Sequence, residues 1–348
     1  MFGVPIASKR AFENPLKRPG EIAPLITGVE AARLAARHTI GDKEIRMAML
    51  TCLTFARRFG AVATLLALLA ACATPRIEPW SVSEGLNAPE SAYLDRESGL
   101  LFVSQVGLRP GGTPMDKDGN GVISKLTRDG KVLALNWVTG LNSPKGLRSH
   151  GGTLWVADVD EMVSIDISSG TIKSRIKVDG AKFLNDVATG PDGAVYVSDM
   201  LTSKIHRIKD GIPTTFAEGE QLEYPNGLLV EGDSLVVAAW GKPEANFSTK
   251  VPGHLYRLNL TTGAKTLITS KPTGNLDGLE SDGQGGYVVS DWVAGKILHV
   301  AANGDTRLLR QFKQGTADLA YLPESRTLIL PHMLENRVQA YDLSADFK

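Results

Sequence analysis

The chain has 348 residues, with 38 Lys and Arg balanced by 38 Asp and Glu. Zero formal net charge offers no basic field for nucleic acid and no acidic tail. Both cysteines, Cys52 and Cys72, lie in the N-terminal fifth, so the rest of the chain holds no disulfide, thiolate metal site or cysteine nucleophile.

The first predicted element is an address. In "FARRFGAVATLLALLAAC" (55–72), Arg57 and Arg58 form a positive n-region and Ala61 to Ala71 are apolar apart from Thr64. At about 1.5 Å per residue this run is too short for a hydrocarbon core of about 30 Å, and it fits a signal peptide. It ends Leu69-Ala70-Ala71-Cys72, which resembles a bacterial lipobox whose cysteine is lipidated and becomes the mature N-terminus. The alternative is an ordinary secretory signal cut near Ala73. Residues 1–46 read as a non-native or disordered leader, since Met47 and Met49 both sit at a natural start. The expected organisation is leader 1–46, lipoprotein signal 47–72 and one mature domain 73–348. Acyl chains on Cys72 would hold the protein at the periplasmic face of the outer membrane, its only expected membrane contact.

From Ile77 onward one phrase recurs: a polar residue opens an innermost segment, then come a turn, a strand and a third strand. It starts at Glu90, Lys145, Asn185, Asn226, Asp277 and Ala317, with steps of 55, 40, 41, 51 and 40 residues. The two long steps carry the loops "GLRPGGTPMDKDGNG" and "GKPEANFSTKVPG". Strands such as "AVYVSD" and "TLWVAD" read with period two and close on Asp-Gly or Gly-Gly turns. A repeat of about 40 residues with several strands each predicts an all-β, six-bladed β-propeller of four-stranded antiparallel blades. A jelly roll or sandwich is the alternative. "IEPWSV" (77–82) is placed to supply the outer strand missing from the last unit.

In such a fold the six opening residues converge on one axis. Glu90, Asn185, Asn226 and Asp277 offer hard oxygens, which suit Ca²⁺ or Mg²⁺ rather than zinc. The competing reading is that Asn and Asp simply cap turns at strand starts. Lys145 faces the same axis, to hold an anionic substrate group, to solvate the channel mouth or to pair with a neighbouring acid.

Other residues read as structural. His206 and His299 fall on third strands, and His332 nearer a face. Asp158, Asp199 and Asp291 end second strands, where recurrence points to a repeated turn bond. Trp155, Trp240 and Trp292 read as blade packing, and Ser198 and Ser290 lack a nucleophile-elbow phrase. The stretch "DKDGNGVISKL" places Asp116, Asp118 and Asn120 like the start of an EF-hand loop, but position 12 is Thr127 and a strand follows. It is expected to bind a second calcium weakly or to cap its own backbone.

The phrases "PES" (89–91), "FLNDVATGPDGAVYVSDM" (183–200), "YPNGLLVEGDSLVVAAW" (224–240) and "LDGLESDGQGGYVVSDW" (276–292) resemble the senescence marker protein/gluconolactonase/regucalcin family of six-bladed propellers. The resemblance covers about 87–300 well. It implies a divalent cation, usually calcium, on Glu90, Asn226 and Asp277, with Asn185 on metal or substrate and Asp277 as general base or nucleophile. Lys182, Phe183 and Leu184 stand where the family's gluconolactonases carry an arginine, and "ADLAYLPES" replaces a glycine-rich last-blade phrase. The expected function is calcium-dependent hydrolysis of a lactone or ester, with the cation polarising the carbonyl. The alternative is a lipid-anchored propeller that binds a ligand or envelope protein without turnover, its metal structural.

Overall fold

A computed structural model describes residues 77–347. The leader, the signal segment and Cys72 lie outside the described residues. Among those described, helix is confined to 3-10 turns at Met200–Thr202, Glu220–Leu222 and Met333–Glu335, and no helix is long and apolar enough to cross a membrane.

The strands form six blades. After β1 (Ser81–Val82), the first blade is β2 (Pro89–Leu94), β3 (Leu100–Gln105), β4 (Gly121–Thr127) and β5 (Val132–Leu141). The second is β6 (Pro144–His150), β7 (Thr153–Asp158), β8 (Glu161–Asp166) and β9 (Ile172–Lys177). The third is β10 (Leu184–Thr189), β11 (Val195–Asp199), β12 (Lys204–Lys209) and β13 (Ile212–Glu218). The fourth comprises β14 (Pro225–Glu231) and β15 (Ser234–Ala239). An inserted hairpin follows, β16 (Gly241–Pro243) with β17 (Thr249–Pro252), and then β18 (Leu255–Asn259) and β19 (Lys265–Leu267) complete the blade. The fifth is β20 (Leu276–Ser281), β21 (Tyr287–Asp291), β22 (Lys296–Val300) and β23 (Thr306–Gln311). The last runs β24 (Ala320–Leu322), β25 (Thr327–His332) and β26 (Arg337–Asp342), and β1 completes it.

Every pairing within the blades is antiparallel, so the expected all-β propeller is the observed fold. Residues 81–82 supply the missing outer strand: Ser81 pairs with Gln339 and Val82 with Val338. First and last segments thus share one sheet, which removes an open edge.

The period-two reading needs a correction. It holds for an outer strand such as β9, whose side chains alternate between exposed and half-buried. The second strand of each blade is buried on both faces. In β15, Leu235, Val237 and Ala239 pack toward the third blade, and Val236 and Ala238 toward the fifth. A sheet sandwiched between two others has no wet face, so a continuous apolar run replaces alternation. The cores lie between blades: Phe102 and Ile123 meet Leu147 and Val156 between the first and second, and Ala92 and Val103 meet Ile329 and Ala340 across the closure. Truncating a fully buried leucine in such a layer costs about 2–5 kcal/mol.

Candidate active site

The axial residues project because the innermost strand of each of the first five blades carries one extra residue. Pro89 opposes Gln105 while Ser91 opposes Ser104, so Glu90 has no partner. The same shift falls at Lys145, Asn185, Asn226 and Asp277. A bulge re-aims a side chain and frees a backbone N–H. Serines of the second strand accept the freed groups: Ser104 Oγ from Ser91 N, Ser198 Oγ from Asp186 N and Ser290 Oγ from Gly278 N. These hydroxyls are occupied in the ladder, which agrees with reading Ser198 and Ser290 as non-nucleophilic.

In the first three blades the residue ending the second strand fixes the approach to the bulge, and in the fifth Asp291 holds the turn that follows it. Asp158 accepts the N–H groups of Asn142 and Ser143, and Asp199 those of Lys182 and Phe183 at 3.0 and 2.9 Å. Gln105 Oε1 takes Asn87 N at 2.6 Å, and Asp291 accepts from Ala294 N. The recurrent Asp is therefore a backbone clamp, as its spacing suggested. Glycines after Asn226 and Asp277 let neighbouring innermost strands touch: a Cβ on Gly227 would stand 2.0 Å from Asp277 O, and one on Gly278 2.5 Å from Leu319 N.

The result is one cavity of about 170 Å³ whose lining includes Glu90, Lys145, Asn185, Asn226 and Asp277 together. All five are nearly inaccessible, from 0% for Asn226 to 5% for Glu90 and Asn185. Ala317, the sixth opening residue, is buried in the blade contact instead; the sixth blade reaches the cavity through Gln314 and Met333. Its innermost segment bonds the first blade directly, Asp318 N to Glu90 O and Ala92 N to Asp318 O.

Asn226 Nδ2 donates to Asp277 Oδ1 at 2.9 Å and to Leu276 O at 3.2 Å. Two acceptors on that side orient the amide, and its Oδ1 is left buried without a partner. Glu90 Oε2 is the second such oxygen on the cavity floor. Burial first, then the charge of Asp277, holds the Glu90 carboxyl well above the usual range, with Lys145 opposing. Burial and then Asp318 do the same to Asp277. Lys145 Nζ donates to Ser143 O at 2.9 Å and lies 4.5 Å from the centre of the Phe183 ring. Burial brings its pKa down to about 8 against the pull of Glu90.

Beneath the axial residues lies a layer that the sequence reading missed. Asp318 accepts from Ser91 Oγ, and Asp186 from the N–H groups of Leu228 and Val187. Arg148 Nη1 pairs with Glu280 at 2.7 Å. Asp186 is pushed up to about 7, chiefly by burial. Glu90, Asp186, Asp277, Glu280 and Asp318 thus face only Lys145 and Arg148 as cations, an electrostatic demand for further positive charge or protons. The missed signal was the position after each phrase-opening residue, occupied by Ser91, Gly146, Asp186, Gly227, Gly278 and Asp318.

A second correction concerns the tryptophans. Trp155 packs against the core between second and third blades, as expected. Trp240 and Trp292 instead line the cavity with Phe183, Met200, Phe247 and Met333. Met200, Trp240, Trp292 and Met333 each follow the last residue of a second strand, where the chain turns across the channel mouth. That recurrent position was visible in the sequence. His206 and His299 stand on third strands as expected, β12 and β22, and His299 bonds Asp282 at 2.8 Å. His332, at the end of β25, bonds Tyr341 Oη, and burial depresses its pKa to about 4.

In the loop between β3 and β4, Asp116 accepts from Thr113 N and Oγ1, and Asp118 from Asn120 N and Nδ2. The Arg109 guanidinium reaches both Asp118 (3.2 Å) and Asn120 Oδ1 (2.9 Å). Thr127, at the twelfth position, lies in β4. The Asp and Asn side chains of this loop cap their own turn.

A calcium-sized cation suits the axial donors, since two carboxylates and two amides present hard oxygens and two of these are buried without partners. Among the described residues no three His, Cys, Asp or Glu side chains converge as a ligand cluster. A cation held here would need the amide oxygens of Asn185 and Asn226 as well as the two carboxylates.

Comparisons with known proteins bear on the fold. No family model matches the chain, and no curated protein does. Among solved structures, it is similar to a catalytically inactive variant of virginiamycin B lyase from Staphylococcus aureus with quinupristin. That likeness has 15% identity and a TM-score of 0.51, over 76% of this chain and 97% of the other. A streptogramin B lyase structure matches at 13% identity and TM-score 0.52, over 76% and 96%. At these identities the likeness shows the propeller fold alone.

Proposed function

We propose that this chain is a divalent-cation-dependent hydrolase of a lactone or ester, of the gluconolactonase-like type, with Ca²⁺ (or Mg²⁺) on Glu90, Asn185, Asn226 and Asp277. The observation that carries the reading is the pair of partnerless buried oxygens, Glu90 Oε2 and Asn226 Oδ1, on one cavity floor with Asp277. A bound cation would polarise the substrate carbonyl and offset the surplus of buried carboxylates.

The chain's own groups supply the rest. Asn226 holds Asp277 Oδ1, which fixes the carboxylate plane at the cavity floor. Asp277, which a bound cation would hold ionised, takes a proton from water as the water oxygen bonds the carbonyl carbon. The carbon–oxygen bond of the ester then breaks, and the departing oxygen receives the proton that Asp277 took from water. Direct attack by the Asp277 carboxylate is the variant of this scheme. Asn185 orients the substrate, and the Lys145 ammonium attracts its anionic end. The propeller is tethered through Cys72 at the periplasmic face of the outer membrane.

Lys145 also favours a second reading. An ammonium that already offsets Glu90 suits a propeller that binds a ligand or envelope protein, its metal structural. The test is a lactone and ester screen of the protein with and without chelator, beside Asp277→Ala. Chelator-sensitive hydrolysis that Asp277→Ala abolishes is expected, with ¹⁸O from water in the acid product. Hydrolysis that survives Asp277→Ala defeats the catalytic reading, and product without ¹⁸O indicates elimination. No heat of Ca²⁺ binding at millimolar metal would remove the cation from either reading. Cys72→Ser is expected to release the protein from membranes, and unchanged fractionation refutes lipidation.

A further inference from the structure

The cavity is divided chemically, and the division selects a substrate. Its floor is polar, formed by Glu90, Lys145, Asn185, Asn226 and Asp277. Its wall is apolar, formed by Phe183, Met200, Trp240, Phe247, Trp292 and Met333. The wall residues pack on one another: the Trp240 and Trp292 rings stand 6.1 Å apart and those of Phe183 and Phe247 5.8 Å apart.

Two donors beside this wall are committed, while the Trp292 indole N–H stays open. Trp240 Nε1 donates to Phe247 O at 3.1 Å, and Asn226 Nδ2 is occupied by Leu276 O and Asp277. Asn246 and Gln314, the other amides of the lining, are exposed. A polyhydroxylated ligand seated against the wall would leave hydroxyls without partners, which costs affinity.

Phe247 gives an independent sign that the wall has a purpose. It sits in the turn of the β16–β17 hairpin with φ of 62°, a region that a bulky side chain rarely adopts. Its N–H bonds Glu244 O, so the turn is closed around the strained residue. A glycine or asparagine would hold this turn without strain. Val159 and Tyr224 share this backbone region with φ of 58°, and of the three bulky residues Phe247 is the one that lines the cavity.

Size narrows the ligand further. About 170 Å³ is close to the dry cavity of about 150 Å³ that accommodates benzene. We infer that the site takes a lactone or ester whose carbonyl reaches the polar floor while a flat, apolar ring fills the wall, and that it discriminates against sugar lactones. This rests on the hydrolase reading for the reaction but not for the binding preference.

The experiment uses the full chain with Ca²⁺ present. Turnover of dihydrocoumarin is compared with that of glucono-δ-lactone, and calorimetry compares their unreactive lactams, hydrocarbostyril and gluconolactam. Dihydrocoumarin is expected to lead by at least about tenfold in kcat/KM, and hydrocarbostyril to bind where gluconolactam does not. Phe247→Ala, on a surface hairpin outside the interblade cores, is expected to weaken hydrocarbostyril about tenfold. Trp292→Phe, which keeps the wall apolar, is expected to restore most of the binding lost in Trp292→Ala. Binding of hydrocarbostyril without hydrolysis of any ester would end the hydrolase reading and support this one. Equal or tighter binding of gluconolactam overturns the inference, as does failure of both lactams to bind.

Discussion

Two regions of the molecule present Asp and Asn side chains that suggest calcium, and they differ in what those oxygens do. In the loop at 116–120 they are contiguous, and each is consumed by its own backbone or by Arg109. At the axis they come from four blades, and Glu90 Oε2 and Asn226 Oδ1 have no protein partner. Proximity in sequence makes acidic groups easy to satisfy locally, because a flexible turn can fold onto its own carboxylates. Rigid strands that deliver them from separate sheets cannot do so.

The sharpest way to break this contrast is Asp277→Ala. A lost general base is expected to cost about 10²–10⁴ in kcat, whereas Asp118→Ala is expected to leave the rate unchanged; steady-state kinetics on any accepted ester decides it. Equal losses in both variants would erase the distinction.

Stability comes next. Calcium at 100 times its dissociation constant is expected to raise the unfolding free energy by about 2.7 kcal/mol in urea titrations. Glu90→Gln is expected to abolish most of that gain, and Asp116→Ala none of it.

The pH response separates the regions by sign. The buried axial carboxyls have raised pKa values in the native protein, so it retains protons that the unfolded chain has released. The chelated protein is therefore expected to lose stability as pH rises from about 4, the ordinary carboxylate value, through the value of about 7 at Asp186. Asp186→Asn should flatten that slope. Asp116 and Asp166 are held below the usual range by local hydrogen bonds and act in the opposite direction. The smallest effect expected is in stoichiometry: one calcium per chain by calorimetry, both before and after Asp118→Ala.

The propeller was legible because its repeat is coarse. The phrase starting at Glu90, Lys145, Asn185, Asn226 and Asp277 survived insertions in two blades, and those five residues line one cavity. Ala317 did not reach it, since β24 has only three residues and its innermost segment pairs with the first blade near Ser91 instead. The aromatic wall was misread for a different reason. Trp240 and Trp292 follow strands whose apolar runs look like core, and only the turn after each strand sends them over the channel. Asp186 and Asp318 were hidden because an acid beside a bulge looks like a turn residue until neighbouring strands are in place.

The recurring bulge has a consequence for how such a molecule changes over time. Each axial side chain sits in its own socket, set by one extra residue, and in the third blade, for example, by a hydrogen-bonded clamp from the strand behind it. The layers that hold the blades together lie elsewhere. Exchanging the occupant of one socket alters charge and ligand chemistry at the axis without disturbing those layers. Reactivity can therefore drift one blade at a time on an unchanged frame.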